Sequence, residues 1–411
     1  MEEWKTYKLG DLATVKGGKR LPKGVALMPV ANSHPYIRIR DLGQSRILDI
    51  NPTFEYVDDE TQKSISRYIV NSGDVILSIV GTIGLTGIIG QSLDGANLTE
   101  NCVKLVNLKG LEPRYLYYYL SSPIGQAEIK KGIVGAVQPK LPIKNIQDIS
   151  ISIPSADAQK RIADTLSSFD QKIELNNRIN HNLEEQAQAL YKSWFVDFEP
   201  FKEGEFVDSE LGLIPEGWRV GTLSELGDIV AGGTPSKAKP EYYTNNGIAW
   251  LTPKDLSAKC NKFTAGGETD ITEDGYRNSS AKLMPRGSVL FSSRAPIGYI
   301  SIAKGDICTN QGFKSVVPTY AGTAYLYYWL CENTEAIEAQ ASGSTFKEAS
   351  GSLMRSFPAL VPEKSVIDSF EKELSPILNE QEILEEEINH AEQIRDSLLP
   401  RLMSGELVMN C

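Results

Sequence analysis

Cysteine and histidine are scarce in this sequence of 411 residues. The five cysteines are scattered and never form a Cys-x-x-Cys pair, which argues against both a disulfide framework and a zinc site. The three histidines are His34, His181 and His390. They leave little material for a catalytic imidazole or a histidine-rich metal site, so we expect neither a catalytic centre nor a bound metal ion.

Long apolar stretches are missing as well. No apolar run approaches the length of about 20 residues that a membrane-spanning helix needs, and the first residues lack the basic and apolar regions of a secretion signal. Hydrophobic residues make up 41% of the chain and charged residues 23%, which is typical of globular proteins. We therefore expect a cytoplasmic protein of two or more domains that does not bind a membrane.

The formal net charge is −11, but the charge is distributed unevenly. Residues 1–40 contain eight basic and three acidic side chains, whereas acidic residues gather between positions 371 and 392. A local basic surface on an acidic scaffold can still bind a polyanion, although the summed charge would suggest otherwise.

The two halves of the sequence repeat each other. Trp4 and Trp218 each begin a W-x4-L pattern that leads into a pair of glycines, and they lie 214 positions apart. The aromatic runs at residues 115–120 and 325–330 match at an offset of 210, and Pro154 matches Pro362 at an offset of 208. This slow drift indicates a duplicated unit with a few short loop deletions.

Each repeat ends in a stretch whose seam positions follow at alternating steps of four and three, and these positions are apolar except for Asn176 and Asn180 in the first stretch and Gln381 and Arg395 in the second. This heptad spacing predicts a long helix with a seam that faces a partner. The seam residues are Ile162, Leu166, Phe169, Ile173, Leu183 and Leu190 in the first stretch and Phe370, Leu374, Ile377, Leu384, Ile388 and Leu398 in the second. Antiparallel pairing about the midpoints would set Asn176 beside Ile388 and Asn180 beside Leu384. The alternative is two unrelated surface helices, each packed on its own domain.

These patterns predict a mixed α/β protein in which two similar globular domains are separated by two long antiparallel helices, which form an intramolecular coiled coil. The segments are a first domain at residues 1–155, a helix at 156–197, a polar linker at 198–217, a second domain at 218–362, and a helix with its tail at 363–411. With antiparallel helices the C-terminus would return to the first domain, so we expect a nearly cyclic molecule with a pseudo-twofold axis.

Three stretches together point to a known family. They are the duplicated W-x4-L start with its glycine turn, the segment IPEGW at residues 214–218, and the ending LLPRLMSG at residues 398–405. In this order the chain resembles the specificity (S) subunit of Type I restriction-modification systems. The resemblance covers essentially the whole chain, and it depends on the order and duplication of the motifs rather than on any single one.

The resemblance implies a role in DNA methylation and phage defence. In that family each globule is a target recognition domain that reads one half of a bipartite, asymmetric double-stranded DNA target, and the helices set the unread spacer. The helices also dock two methylation subunits, which modify adenine at N6 with S-adenosylmethionine, and restriction subunits that use ATP join this core. The resemblance thus implies a subunit that binds no cofactor and performs no chemistry itself.

Two other functions are kept as alternatives. One is a self-contained DNA adenine methyltransferase built around Asn51-Pro52-Thr53-Phe54, which approaches the Asn-Pro-Pro-aromatic motif of such enzymes. Thr53 replaces the second proline and no cofactor-binding glycine loop precedes it, so a turn is the simpler explanation. The other is a coiled-coil scaffold without a DNA role, which the basic N-terminal stretch disfavours.

We expect phosphate contacts from lysine and arginine, and base contacts from Arg, Lys, Asn, Gln or Thr. Arg38 and Arg40 are predicted to share one face of a strand, so that both would face DNA together. The candidates are Lys16, Lys19, Arg20, Lys23, Arg38, Arg40, Gln138 and Lys140 in the first domain and Thr234, Lys237, Lys239, Lys254, Arg294, Ser344 and Lys347 in the second.

Overall fold

The computed structural model describes residues 4–43, 45–258, 261–343 and 347–407. The chain divides into two compact units, one of Met1–Leu175 with Ile388–Cys411 and one of Asn176–Glu387. Each unit contains one of the repeated globules and a part of each of two long helices. We call the globule of the first unit head 1 (residues 4–153) and that of the second unit head 2 (residues 219–361).

Head 1 is built on a five-stranded sheet. The strands of head 1 as a whole are β1 (Lys5–Lys8), β2 (Thr14–Gly17), β3 (Tyr36–Ile37), β4 (Ile47–Leu48), β5 (Val75–Ser78), β6 (Thr86–Ile89), β7 (Asn97–Leu98), β8 (Cys102–Val106) and β9 (Ser150–Ile153). Its helices are α1 (Leu9–Leu12), α2 (Asp59–Ile65), α3 (Pro113–Ser121), α4 (Pro123–Gly132) and α5 (Ile143–Gln147). The sheet order is β2-β8-β5-β6-β4, with β4 and β6 parallel. The central strand β5 is buried along its whole length. Both faces of the sheet are therefore covered at this strand, which explains why apolar residues follow one another there without alternation.

Head 2 and its preceding segment follow the first of the long helices, α6 (Ala156–Phe195). The strands are β10 (Phe206–Ser209), β11 (Gly212–Pro215), β12 (Arg219–Thr222), β13 (Gly227–Ala231), β14 (Tyr243–Thr244), β15 (Trp250–Leu251), β16 (Phe263–Thr264), β17 (Asp270–Ile271), β18 (Val289–Ser293), β19 (Ile297–Ala303), β20 (Cys308–Thr309), β21 (Lys314–Pro318) and β22 (Pro358–Val361). The helices are α7 (Leu223–Leu226), α8 (Pro253–Ala258), α9 (Glu273–Arg277), α10 (Thr323–Gln340) and α11 (Gly351–Ser356), followed by the second long helix, α12 (Lys364–Ser404).

The two heads have the same topology. The sheet order in head 2 is β13-β21-β18-β19-β16, with β16 and β19 parallel, which repeats the order and the parallel pair of head 1. The outer pairs correspond too, because β1 with β9 and β12 with β22 are antiparallel, and β3 with β7 and β15 with β20 are parallel. The predicted mixed α/β duplication is therefore confirmed.

The long helices run antiparallel in each unit, as predicted. In the first unit Arg395 Nη1 donates to Asp170 Oδ1 over 2.9 Å, and in the second Gln381 Nε2 donates to Glu184 Oε2 over 3.0 Å. These partners differ by one residue from the predicted register. Every residue of both seams is buried or half-buried. Among the described residues, no helix combines the length and the apolar character needed to cross a membrane.

The end of α12 completes the core of head 1. Leu402 and Met403 are buried in one apolar cluster with Leu9 and Tyr115. At Gly405, where φ is +75°, an added Cβ would lie 2.9 Å from the Trp4 ring, so only glycine fits this close turn. Within this unit the chain therefore returns to its first described residues, as expected for antiparallel helices.

The segment after α6 differs from the prediction of a polar linker. It forms a short 3-10 helix, Glu199–Phe201, and the antiparallel β10–β11 hairpin. The reason is aromatic packing, since the ring centroids of Phe198 and Phe201 lie 5.7 and 4.9 Å from that of Trp218. These contacts attach the segment to the apolar core of the second unit.

A buried polar network joins head 2 to both long helices. The ammonium of Lys262, directly before β16, donates to Glu184 of α6, Gln381 of α12 and the Tyr328 hydroxyl over 2.6, 2.8 and 2.6 Å. Burial lowers the pKa of Lys262, although Glu184 opposes this. Burial disfavours the ionised form of Glu184, but Lys262 and Gln381 outweigh it and hold the pKa of that carboxyl below its ordinary value. Since each polar group has a partner, the network fixes one orientation of the head on its helices.

Head 1 has a corresponding network with different residues. Arg46, directly before β4, is buried and lies 3.6 Å from the Asp170 carboxylate of α6. The Tyr118 hydroxyl donates to the same carboxylate, which also binds Arg395 of α12. Both units therefore combine a cation beside the edge strand of the sheet, a tyrosine of α3 or α10, and a carboxylate of α6.

We predict that Leu402→Ala destabilises the first unit selectively. Leu402 is fully buried in the core of head 1, and such a truncation costs about 2–5 kcal/mol. Amide hydrogen exchange should become faster in β5, which belongs to the first unit, and stay unchanged in β18, which belongs to the second. The control is Leu175→Ala on α6 of the same unit, where the side chain is 47% exposed and a change below about 0.5 kcal/mol is expected. Equal effects of the two variants would contradict this account of the core.

We predict that Lys262→Met destabilises the second unit by about 3 kcal/mol at neutral pH, because a largely buried carboxylate loses its cation. The double variant with Glu184→Leu should recover most of this loss, since it leaves no unpaired charge. Exchange of β18 and β19, compared with β5, measures the effect. A double variant that is no more stable than the single one would contradict the prediction.

The same pair predicts a pH dependence. Because the folded-state pKa of Glu184 lies below its ordinary value of 4.5, its contribution to stability is present above pH 4.5 and is lost as the pH falls through the lowered value. In Lys262→Met the carboxyl has no cation, so burial raises its pKa. Protonation then removes the unpaired buried charge, so the stability difference between Lys262→Met and the wild type should shrink as the pH falls.

Candidate nucleic-acid interface

Head 2 contains an open groove of about 820 Å³, which we call the head 2 groove. Most of its polar lining comes from four separate stretches that follow or begin regular elements: the turn after β13, the start of α8, the turn after β18 and the turn after β20. The lining includes Thr234, Lys237, Tyr243, Trp250, Thr252, Lys254, Glu268, Arg294, Asn310 and Gln311. Of the seven candidates predicted in this domain, four line the groove.

The double glycine after β13 holds the first of these stretches against β15 and β20. Gly233 N–H donates to Thr309 O over 2.8 Å and its own carbonyl accepts from the Trp250 indole over 3.0 Å. A Cβ at Gly233 would lie 2.3 Å from the backbone nitrogen of Ala281, so the approach requires glycine. The next residue, Thr234, then donates its hydroxyl proton to Gln311 Oε1.

An Asp-Leu dipeptide occurs in each repeat, at residues 41–42 and 255–256, and its aspartate has a local structural role. Asp255 accepts from the backbone and the hydroxyl of Thr252 over 2.8 and 2.6 Å, and Asp41 accepts from the Arg38 backbone over 2.6 Å. Each carboxylate thus closes the first turn of a short helix. In head 2 this turn exposes Lys254 at the groove.

The cations of the head 2 groove are weakly compensated. Lys254 lies 3.3 Å from Glu268, but both side chains are exposed, so the pair contributes little. Arg294 lies 3.6 Å from Glu348. Within the described part of the chain Lys237 is exposed and has no ion pair. The groove can therefore attract an anionic backbone.

The corresponding cations of head 1 are held by acids. Arg20 Nε donates to Glu100 Oε1 over 2.6 Å. Although burial raises the pKa of Glu100, the bond from Arg20 and other hydrogen bonds outweigh it and lower that pKa. Arg38 pairs with Glu55, and Arg40 lies 3.2 Å from the same carboxylate.

The prediction that Arg38 and Arg40 share a strand face was wrong. Strand β3 ends at Ile37, and Arg40 lies in the 3-10 turn Ile39–Asp41. The turn forms because Asp41 caps it, which strand alternation could not reveal. The two guanidinium groups nevertheless converge, since both bind Glu55.

The other candidates are distributed around the two heads. In head 1, Lys16 lies on β2 rather than in the glycine turn, Lys19 lies 5.7 Å from the Tyr68 ring centroid, and Lys23 is exposed. Gln138 and Lys140 lie in an exposed loop that Lys140 closes through backbone bonds of 2.9 Å to Val134.

In head 2, Lys239 lies over the Tyr242 ring at 4.9 Å, and Lys347 is exposed; neither lines the head 2 groove. Ser344 lies outside the described residues.

Sequence reasoning missed Asn310 and Gln311, whose amide groups line the groove, and Glu100 in head 1. A signal was present, because these residues follow β20 and β7, which occupy the same place in the two repeats.

The motif Asn51-Pro52-Thr53-Phe54 forms a turn. The Asn51 side-chain oxygen accepts from the backbone and the hydroxyl of Thr53 over 2.9 and 2.7 Å, and Phe54 is buried. The carboxamide oxygen is thus occupied locally, as expected for an Asx turn.

Two α/β heads of one topology, each packed in its unit on antiparallel helices, define a tandem recognition-domain protein. A family model for the Type I restriction modification DNA specificity domain matches residues 1–185 and 215–393. The chain therefore belongs to the family of Type I restriction-modification specificity subunits, which confirms the resemblance found in the sequence.

Individual relatives agree with this assignment. The chain is similar to the HindI specificity subunit of Haemophilus influenzae, with 24% identity over 99% of this chain and 100% of that protein. It is 36% identical to the MjaIX specificity subunit of Methanocaldococcus jannaschii over 44% of each chain. The crystal structure of a Type I S subunit from M. genitalium has a similar fold, with a TM-score of 0.65 at 15% identity, over 100% of this chain and 97% of that one.

Proposed function

We propose that this chain is the DNA-recognition subunit of a Type I restriction-modification complex, in which each head reads one half of a bipartite target. The observation that carries the proposal is the head 2 groove, whose lining combines the cations Lys237, Lys254 and Arg294 with amide and hydroxyl side chains. Cations of this kind bind phosphates, and Asn, Gln and Thr distinguish bases. The family membership supports the same role.

The proposed partners follow from the family. Two methylation subunits dock on α6 and α12 and transfer the methyl group of S-adenosylmethionine to adenine, and restriction subunits that use ATP join through this core. This chain acts in the cytoplasm, binds neither cofactor and positions DNA. Its net charge of −11 opposes DNA binding by the isolated chain, so the partners complete the basic surface.

We predict that Lys237→Ala with Lys254→Ala weakens binding of the assembled complex to all DNA sequences alike. Each phosphate contact that is lost should reduce the slope of log affinity against log salt by about 1. Binding is measured by titration at several salt concentrations. The control is Lys109→Ala in head 1. Lys109 is exposed and follows the end of β8 that lies away from the glycine turn. An unchanged slope in the double variant would remove these lysines from the interface.

We predict a split adenine-methylation motif that depends on this chain. Modified adenines are mapped across the genome of cells that express the methylation subunits with and without it. The expected result is a bipartite, asymmetric motif that disappears when the chain is omitted. Methylation that persists without the chain, or S-adenosylmethionine binding by the purified chain, would contradict the proposal and favour the methyltransferase alternative.

A further inference from the structure

The glycine turn has the same backbone connections in the two heads. In head 1, Gly18 N–H donates to Cys102 O and Lys19 N–H to Leu98 O, over 3.0 and 2.8 Å. In head 2, Gly232 N–H donates to Phe313 O and Gly233 N–H to Thr309 O, over 3.3 and 2.8 Å. The residue that follows the turn, Arg20 or Thr234, is therefore held in the same place of each fold.

In both heads this residue contacts the turn after the parallel strand β7 or β20. Arg20 binds Glu100 through Nε, and Thr234 binds Gln311 through its hydroxyl. The two contacts connect the same pair of turns, but one consists of charged side chains and the other of neutral ones. Because the backbone is shared, the difference between the heads at this place is one of side-chain chemistry.

Each pair keeps groups that can bind a further partner. Among the described residues, the Arg20 side chain forms its hydrogen bond to Glu100 through Nε, which leaves both terminal nitrogens of the guanidinium to donate; this side chain is 81% exposed. Glu100 Oε2 accepts from the Thr99 hydroxyl over 3.1 Å. Gln311 is exposed, and its bond with Thr234 uses one lone pair of Oε1, which leaves the second lone pair as an acceptor and the NH2 group as a donor.

A carboxylate at this surface argues against a contact with phosphate alone. Glu100 would repel a phosphate, but it can accept a hydrogen bond from the amino group of a base such as cytosine N4. The forked donors of arginine match O6 and N7 of guanine, and the amide of glutamine matches N6 and N7 of adenine. The two pairs are thus suited to different bases.

We propose that Arg20 with Glu100 and Thr234 with Gln311 are equivalent base-reading pairs, and that head 1 reads a guanine or cytosine where head 2 reads an adenine or thymine. The inference rests on the proposed function, since it assigns specificity within the same DNA interface. The competing explanation is that each pair is a clamp between two turns. A clamp would affect stability without changing which bases are selected.

The test transfers the chemistry of head 2 to head 1. The double variant Arg20→Thr with Glu100→Gln is expressed at full length with the methylation subunits, and modified adenines are mapped. We expect one half of the motif to lose a G·C requirement at one or two positions, with modification of the original motif reduced about 10- to 100-fold, while the other half is unchanged. The reciprocal variant, Thr234→Arg with Gln311→Glu, should alter the other half alone.

The variant Arg20→Lys distinguishes a loss of base reading from a folding defect. Lysine can keep the ion pair with Glu100, but it lacks the planar fork for guanine, so the same position should become less selective at unchanged thermal stability. Lys109→Ala is the matched surface control, and it should leave the motif as it is. An original motif that is retained by both Arg20→Lys and the double variant would overturn the base-reading proposal, and a fall in stability alone would identify a clamp. A wild-type chain without any bipartite motif would instead overturn the proposed function.

Discussion

The packing of both long helices into the core of each head is the interaction on which the structure depends. The core of the first unit contains Ile162 and Leu166 of α6 together with Leu402 of α12. That of the second contains Tyr191 of α6 together with Phe370 of α12. Neither head completes its apolar core with its own residues, so head and helices form one cooperative body in each unit. Burial of this apolar surface supplies the main driving force, and the networks around Lys262 and Asp170 select one orientation, because a shifted head would leave buried charges unpaired.

Much of this architecture could be predicted because it is recorded in periodic sequence patterns. The heptad spacing predicts α6 and α12, and the offset between Trp4 and Trp218 predicts two similar heads. Features that depend on a single side chain were harder to predict from the sequence. The turn at Arg40 is set by a single cap from Asp41, and the hairpin after α6 forms because Phe198 and Phe201 contact a tryptophan that follows later in the chain.

The candidate interface was predictable only in part, for a related reason. A sequence identifies cations, but it does not show which acids lie beside them. Arg20 and Arg40 looked alike as exposed basic residues, whereas the structure pairs them with Glu100 and Glu55. In head 2, Thr234 and Lys237 of the turn after β13 converge with Lys254 of α8 and Arg294 of the turn after β18 at one groove. The local balance of charge, rather than the net charge of −11, decides where an anion can approach.

The division between core and turns also explains how one fold can accommodate different side chains at its turns. In both heads the glycine turn is fixed by backbone hydrogen bonds, which do not depend on the side chain of the next residue. Exposed positions such as Arg20 and Gln311 can change at a cost of about 0.5 kcal/mol or less, whereas truncation in the helix-packed core costs about 2–5 kcal/mol. Side chains at the turns can therefore diverge between the repeats while the same packing holds both heads on α6 and α12. A duplicated domain can in this way keep its stability and acquire a second specificity.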